Sequence, residues 1–188
     1  MNNIIKLGLN LFGICAVAAL LLGVTNSITS PIIAQRNIEA NNQSRQMVLP
    51  DAQEFVEVDS SNYKNIDEMI SEVYEGKDGA DIVGYTVKVL PKGYGGEIEL
   101  IVGISSDGKI TGINIGNMSE TPGLGAKAKE SDFQSQFTDK PASDLTLVKG
   151  SASSEDEVSA ISGATITSTA VTNGVNVAIE LFNDSLSK

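Results

Sequence analysis

Glu97-Ile98-Glu99-Leu100-Ile101-Val102-Gly103-Ile104-Ser105, then Ser106-Asp107-Gly108, then Lys109-Ile110-Thr111-Gly112-Ile113-Asn114-Ile115, is the stretch that decides the fold. Its first run is the most β-like in the chain. Asp-Gly tolerates the positive φ that tight turns need, so the middle reads as a hairpin turn. Lys109–Ile115 returns with Ile110, Ile113 and Ile115. Upstream, Val83–Leu90 alternates Tyr85, Val87 and Val89 against Thr86 and Lys88. Three such strands predict an α+β protein, an antiparallel β-meander packed with helices.

Further upstream, Gly93-Tyr94-Gly95-Gly96 reads as a turn or loop. It is not a nucleotide fingerprint, because the spacing is wrong and no strand–turn–helix unit surrounds it. Asn62–Glu75 carries Ile66, Met69, Ile70, Val73 and Tyr74 at helical spacing, with Gly76 as a stop, and predicts a helix. Residues 31–61 read as a polar connector with a candidate strand at Glu54–Val58. Ile28–Ile38 extends a helix that Pro31 breaks or kinks. Before it, Leu7–Val24 is almost wholly apolar, close to the run of about 20 residues that a bilayer core needs. The run is long for a cleaved signal and no small-x-small site follows, so it predicts one uncleaved N-terminal transmembrane helix. The expected division is 1–30 anchor, 31–61 connector and 62–188 soluble domain.

Downstream, Asn117–Lys127 holds Pro122-Gly123-Leu124-Gly125. Pro-Gly demands a turn, and an apolar Leu124 between glycines suits the cover of a flat aromatic ligand better than a plain surface loop. Glu130–Phe137 predicts a short helix, Leu145–Lys149 a short strand, and Gly150–Glu157 an acidic loop. That loop leads to Ile161-Ser162-Gly163-Ala164-Thr165-Ile166-Thr167-Ser168. Val171, Val175, Ala178, Ile179 and Phe182 then share one helical face, so Ser162 or Thr165 falls where an N-cap is expected. The residues alone fit an ordinary capped helix after a Gly loop. They also fit a phosphate site, because a helix N-terminus presents free N–H groups and partial positive charge.

Composition excludes several functions. The 188 residues contain no His, no Trp and one Cys, Cys15, inside the apolar run. His-based acid–base and Ser/His/Asp nucleophilic chemistry are therefore absent, as are cysteine metal sites and disulfide scaffolds, and no metal is expected. A net charge of −11 makes nucleic acid an unsuitable partner.

Ser162-Gly163-Ala164-Thr165, with Ile166-Thr167-Ser168 after it, resembles the flavinylation motif of the FMN-binding domain family. Glu120-Thr121-Pro122-Gly123-Leu124-Gly125 is similar to that family's second signature, and Gly93-Tyr94-Gly95-Gly96 with the following strand also fits. The family includes the G subunit of the Rnf ion-translocating electron-transport complex and the C subunit of the sodium-pumping NADH:quinone reductase. A membrane helix ahead of the domain is similar to the former. One departure stands at Ser159, where many members carry Asp.

The resemblance implies FMN joined by a phosphoester to Thr165. It implies a cofactor site comprising Ser162, Gly163, Ala164, Thr167 and Ser168 with Glu120, Thr121, Gly123, Leu124 and Gly125. It further implies a redox subunit without a complete active site of its own, relaying electrons in a membrane ferredoxin:NAD+ oxidoreductase, with its soluble domain extracytoplasmic. The partners would be the other Rnf-type subunits and a flavin transferase, since a Thr hydroxyl needs activation that this chain cannot supply. Three other roles remain open: the C subunit of the quinone reductase, a stand-alone flavin carrier, or a cofactor-free membrane-anchored binding module.

Overall fold

The computed structural model describes residues 3–63 and 66–187. Residues 1–2 of the expected anchor, 64–65 of the expected helix and 188 of the expected domain lie outside the described residues. Met1–Asn42 and Gln43–Lys188 form separate compact units. A single helix, α1, covers Asn3–Val48 and is long and apolar enough to cross a membrane. Its apolar side chains from Ile4 to Ile38 are exposed, which suits a lipid surround.

Of the expected break or kink at Pro31, the break does not occur: helix α1 runs through Pro31 and fills the first part of the expected connector. Just before it, at the end of the expected anchor, polar residues fit the helix because their hydroxyls turn back onto its backbone. Thr25 donates to the Leu21 carbonyl (2.8 Å), Ser27 to Gly23 (2.9 Å) and Thr29 to Thr25 (2.9 Å). Such bonds hide polar groups that would otherwise argue for a loop.

The second unit is built on a five-stranded antiparallel sheet: β1 (Glu54–Glu57), β2 (Ile70–Asp78), β3 (Asp81–Val89), β4 (Leu100–Ser105) and β5 (Ile110–Ile115), paired in chain order. The meander and the turn at 106–108 are as the sequence predicts, and β1 occupies the candidate strand at 54–58. The expected helix over 62–75 is a correction. Its second half is strand β2. A bulge between Ile70 and Glu72 puts Ile70 opposite Val89 and Val73 opposite Val87, so two buried side chains three apart face one way. Burial of the opposite face at Gly76 removes the remaining alternation, and the pattern imitates a helical period.

One face of the sheet packs under α3 (Thr165–Leu181), which carries the expected Val171, Val175, Ala178 and Ile179 inward. Phe182, just beyond, meets Tyr85 edge-on at 6.1 Å. Val73, Val87, Val89, Leu100, Val102, Ile104 and Ile110 complete this core. Each fully buried aliphatic side chain there contributes about 1.5–3 kcal/mol. A short helix, α2 (Ser131–Gln134), continues as a 3-10 turn to Phe137 and seals one side with Phe133 and Phe137, 5.5 Å apart. The expected strand at 145–149 is β6 (Thr146–Val148). Its parallel partner β7 (Glu157–Ser159) arises at the end of the expected acidic loop.

The other face receives the last turn of α1 and the residues after it. Val48 and Leu49 approach so closely that a Cβ at Gly76, Gly84 or Gly103 would strike Leu49, a neighbouring strand or the Val48 carbonyl. Arg45 lies 3.7 Å over the Tyr74 ring and pairs with Glu72 at 2.5 Å. Lys88 bridges Glu72 (3.4 Å) and Glu99 (2.6 Å).

Candidate functional site

The start of α3, the loop after β5 and the loop between β3 and β4 enclose a cavity of about 540 Å³. It is lined by Tyr94, Glu120, Thr121, Leu124, Gly125, Gly163, Ala164, Thr165, Ile166 and Thr167. Three of these are exposed apolar side chains: Tyr94 is 71% exposed, Ile166 56% and Leu124 44%. Among the described residues outside α1, the other exposed large hydrophobics are Val56 and Ile82. Exposed apolar surface is thus concentrated at this cavity, the signature of a ligand site.

The helix start differs from the expected cap. The N-cap position is Ala164, which offers no side-chain bond, and Thr165 is the first helical residue. The first backbone bond of the turn is Ser168 N–H to the Ala164 carbonyl (3.0 Å). No side chain at the N-cap position caps the N–H groups of the first turn, which begins at Thr165. Ser168 braces the loop instead. Its Oγ accepts the Ile161 N–H and donates to the Ala164 carbonyl, both at 3.0 Å, and the residue is fully buried. Gly163, at φ +78°, lets the chain turn into the helix against the Leu124 side chain.

Of the residues singled out from sequence, Glu120, Thr121, Leu124, Gly125, Gly163, Ala164, Thr165 and Thr167 line the cavity. Ser162, Gly123 and Ser168 do not. Ser162 is exposed in the entry loop, and Gly123 shapes the turn at φ +77°. Glu120 is 8% exposed, with its carboxylate turned inward. Its Oε1 accepts the Gly95 N–H (2.9 Å) and its Oε2 accepts the Thr167 hydroxyl (2.6 Å). Tyr94 and Ile166 were not singled out. The signal for Tyr94 was an aromatic residue in a Gly loop, and for Ile166 a large apolar residue on the outward side of an amphipathic helix.

On the far side of Thr165 and Ile166 a smaller groove of about 250 Å³ is lined by Lys92, Thr169, Ala170 and Asn173 as well. Thr165 borders both spaces. Ser159, the departure from the motif pattern, lies in β7, where its Oγ accepts the Ala152 N–H (2.9 Å).

These walls fit FMN. A cavity of this size accommodates a cofactor, its apolar side chains suit a fused aromatic ring, and the uncapped helix start suits a phosphoryl group. The class follows from the match of residues 93–180 to the family model described as FMN-binding domain. The fold agrees. The C subunit of the Na+-translocating NADH-quinone reductase from Parabacteroides distasonis superposes with a TM-score of 0.59 at 19% identity, covering 81% of this chain and 96% of that one. NqrC of Shewanella oneidensis gives 0.54 at 22% identity, covering 74% and 70%.

Within that class the chain belongs to the family of G subunits of ion-translocating oxidoreductase complexes. It is 46% identical to the G subunit of the Na+-translocating ferredoxin:NAD+ oxidoreductase complex of Acetobacterium woodii, over 96% of this chain and 92% of that protein. It is 36% identical to the G subunit of the proton-translocating ferredoxin:NAD+ oxidoreductase complex of Clostridium ljungdahlii, over 95% and 91%. The G subunit of the ion-translocating oxidoreductase complex of Methanosarcina acetivorans is 37% identical, over 95% and 94%.

Proposed function

We propose that this chain is the membrane-anchored, FMN-carrying G subunit of an ion-translocating ferredoxin:NAD+ oxidoreductase, with the flavin joined through its phosphate to Thr165. The observation that carries the attachment site is the fate of the hydroxyls around the helix start. Thr167 donates to Glu120, Ser168 to Ala164 and Thr172 to Ser168, whereas Thr165 is exposed on the cavity wall beside the uncapped helix terminus.

When bound, FMN supplies transfer of one or two electrons. The chain's own residues hold and shield it. Tyr94, Leu124 and Ile166 provide the apolar surface for the ring. The N–H groups at the start of α3 and the Lys92 ammonium at the adjoining groove favour the phosphate charge. Attachment forms a bond between Thr165 Oγ1 and phosphorus and breaks the phosphoanhydride of a flavin–nucleotide donor. The nucleotide monophosphate leaves, and the hydroxyl proton passes to a base of a separate flavin transferase. A phosphoester keeps the cofactor on a domain that lies outside the cytoplasm, where no free FMN pool would refill the site. The other members of the complex are the partners, and they carry the ion path, because α1 has no ionisable residue between Leu7 and Gln35 other than the Cys15 thiol.

The test is expression of the full-length chain with a flavin transferase, followed by flavin fluorescence in a denaturing gel. Wild type is expected to fluoresce and Thr165→Val to be dark. In the same cells, protease added to spheroplasts is expected to digest the domain before lysis. Fluorescence retained in Thr165→Val would move the site, and a dark wild type would end the covalent reading.

A further inference from the structure

We propose that Glu120 is a positioning residue, a buried latch that assembles the cavity from three separate segments and turns the Thr167 hydroxyl away from the modification site at Thr165. This role rests on FMN attachment at Thr165 and adds the group that positions that site. Glu120 draws a donor from Gly95, 25 residues before it, and another from Thr167, 47 residues after it. Both carboxylate oxygens are engaged by the protein. The glycines around it are placed to let it in: a Cβ at Gly93 or Gly125 would strike the carboxylate, and one at Gly125 would also strike the Thr167 hydroxyl.

The chemistry asks for a carboxylate. It accepts at both oxygens, and both incoming groups are donors. A glutamine would accept at one oxygen only and turn an N–H toward the other donor. An aspartate, one methylene shorter, cannot span the same two partners. With Glu120 in place, the Thr167 hydroxyl is tied beneath the cavity floor, and the first turn of α3 is fixed with Thr165 outward. Without it, the Gly93–Gly96 loop and the helix start lose their shared anchor, while the sheet retains its own pairing.

The experiment uses the full-length chain in detergent, first produced without flavin transferase and then with it. Hydrogen exchange of the flavin-free chain is read by mass spectrometry over 93–97, 161–168 and, as control, 98–105. Glu120→Ala is expected to speed exchange about tenfold in the first two segments and leave the third unchanged. Thr167→Val is expected to reproduce the change over 161–168. With the transferase, flavin yield on Thr165 is expected to fall several-fold in Glu120→Ala and to recover partly in Glu120→Gln. Unchanged exchange in 93–97 and 161–168 overturns the latch, and so does faster exchange spread equally over 98–105, which would mark a general loss of stability. If Glu120→Ala does not fold, Glu120→Gln and Thr167→Val decide by the same segments. A wild type without flavin at Thr165 would refute the attachment reading, while the flavin-free exchange would still judge the latch.

Discussion

The two faces of the five-stranded sheet solve the same burial problem with different residues. The face under α3 is aliphatic, with Val73, Val87, Val89, Leu100, Val102 and Ile104 interleaving with the helix. The opposite face is mostly glycines, charges and hydroxyls, with Ile101 buried among them. Val48 and Leu49 press onto Gly76, Gly84 and Gly103, and around them lie Arg45, Tyr74, Lys88 and Glu99. The first face gains stability from area removed from water. The second depends on close backbone approach and on satisfied charge, so its tolerance of change should differ in kind. The cavity belongs to the first face, because the helix that covers that face also supplies Thr165 at its start.

The largest expected effect comes from truncation on the α3 face. Leu100 is fully buried, and Leu100→Ala should cost about 2–5 kcal/mol through lost transfer energy and a residual cavity. On the opposite face the sensitive direction is growth. Gly103→Ala places a Cβ against the Val48 carbonyl and should cost about 1–3 kcal/mol. Urea unfolding of both variants measures the two. If Gly103→Ala is neutral, the end of α1 can lift away, and the distinction between the faces fails.

How much of this was legible follows the same division. Strands β3 to β5 and the inward side of α3 carry the simple periods of 2 and 3.6, and the sequence predicts them with their turn at 106–108. The opposite face leaves no such period. Gly76 reads as a helix stop, and Gly84 and Gly103 carry no side chain that would mark a buried face, until Val48 and Leu49 are seen to occupy the space they leave. The end of α1 reads as a polar connector from residue 31, although the helix runs on to Val48. At the site, the loop at 120–125 is legible as a candidate through Leu124 between glycines, whereas the run at 162–168 also fits an ordinary capped helix and stands out through its resemblance to the FMN-binding domain motif. The inward turn of Glu120 was not, because its partners Gly95 and Thr167 are brought to it only by the fold.

The charged side of the comparison is sharpened by pH. Burial pushes the Glu99 carboxyl up, but hydrogen bonds from Lys88 and from the Asn117 backbone and side chain outweigh it and hold its pKa below the ordinary value. A carboxyl whose folded pKa is depressed adds stability that is complete above its unfolded pKa. That stability is lost as pH falls through the folded one. Glu99→Gln should therefore cost about 1–2 kcal/mol at neutral pH. The gap to wild type should close as pH drops through the carboxylate range. Unfolding free energies from neutral pH down through that range test this; a gap that is constant with pH would mean that Glu99 acts by packing alone.

The smallest effect has the opposite sign. Thr86 lies on β3 between Tyr74 and Gly103, is 1% exposed, and its Oγ1 has no hydrogen-bond partner among the described residues. A buried hydroxyl without a partner is a cost, and replacing it with a methyl of the same shape removes that cost. Thr86→Val should therefore leave stability unchanged or raise it by up to about 1 kcal/mol. The same substitution at Thr167 should lower it, because there the hydroxyl is the donor that Glu120 receives at 2.6 Å. Thermal unfolding of the two variants side by side makes the comparison with the chemistry of the change held constant. If Thr86→Val is destabilising by as much as Thr167→Val, the hydroxyl of Thr86 does have a partner, and the face beneath Val48 is as fully hydrogen-bonded as the floor of the cavity.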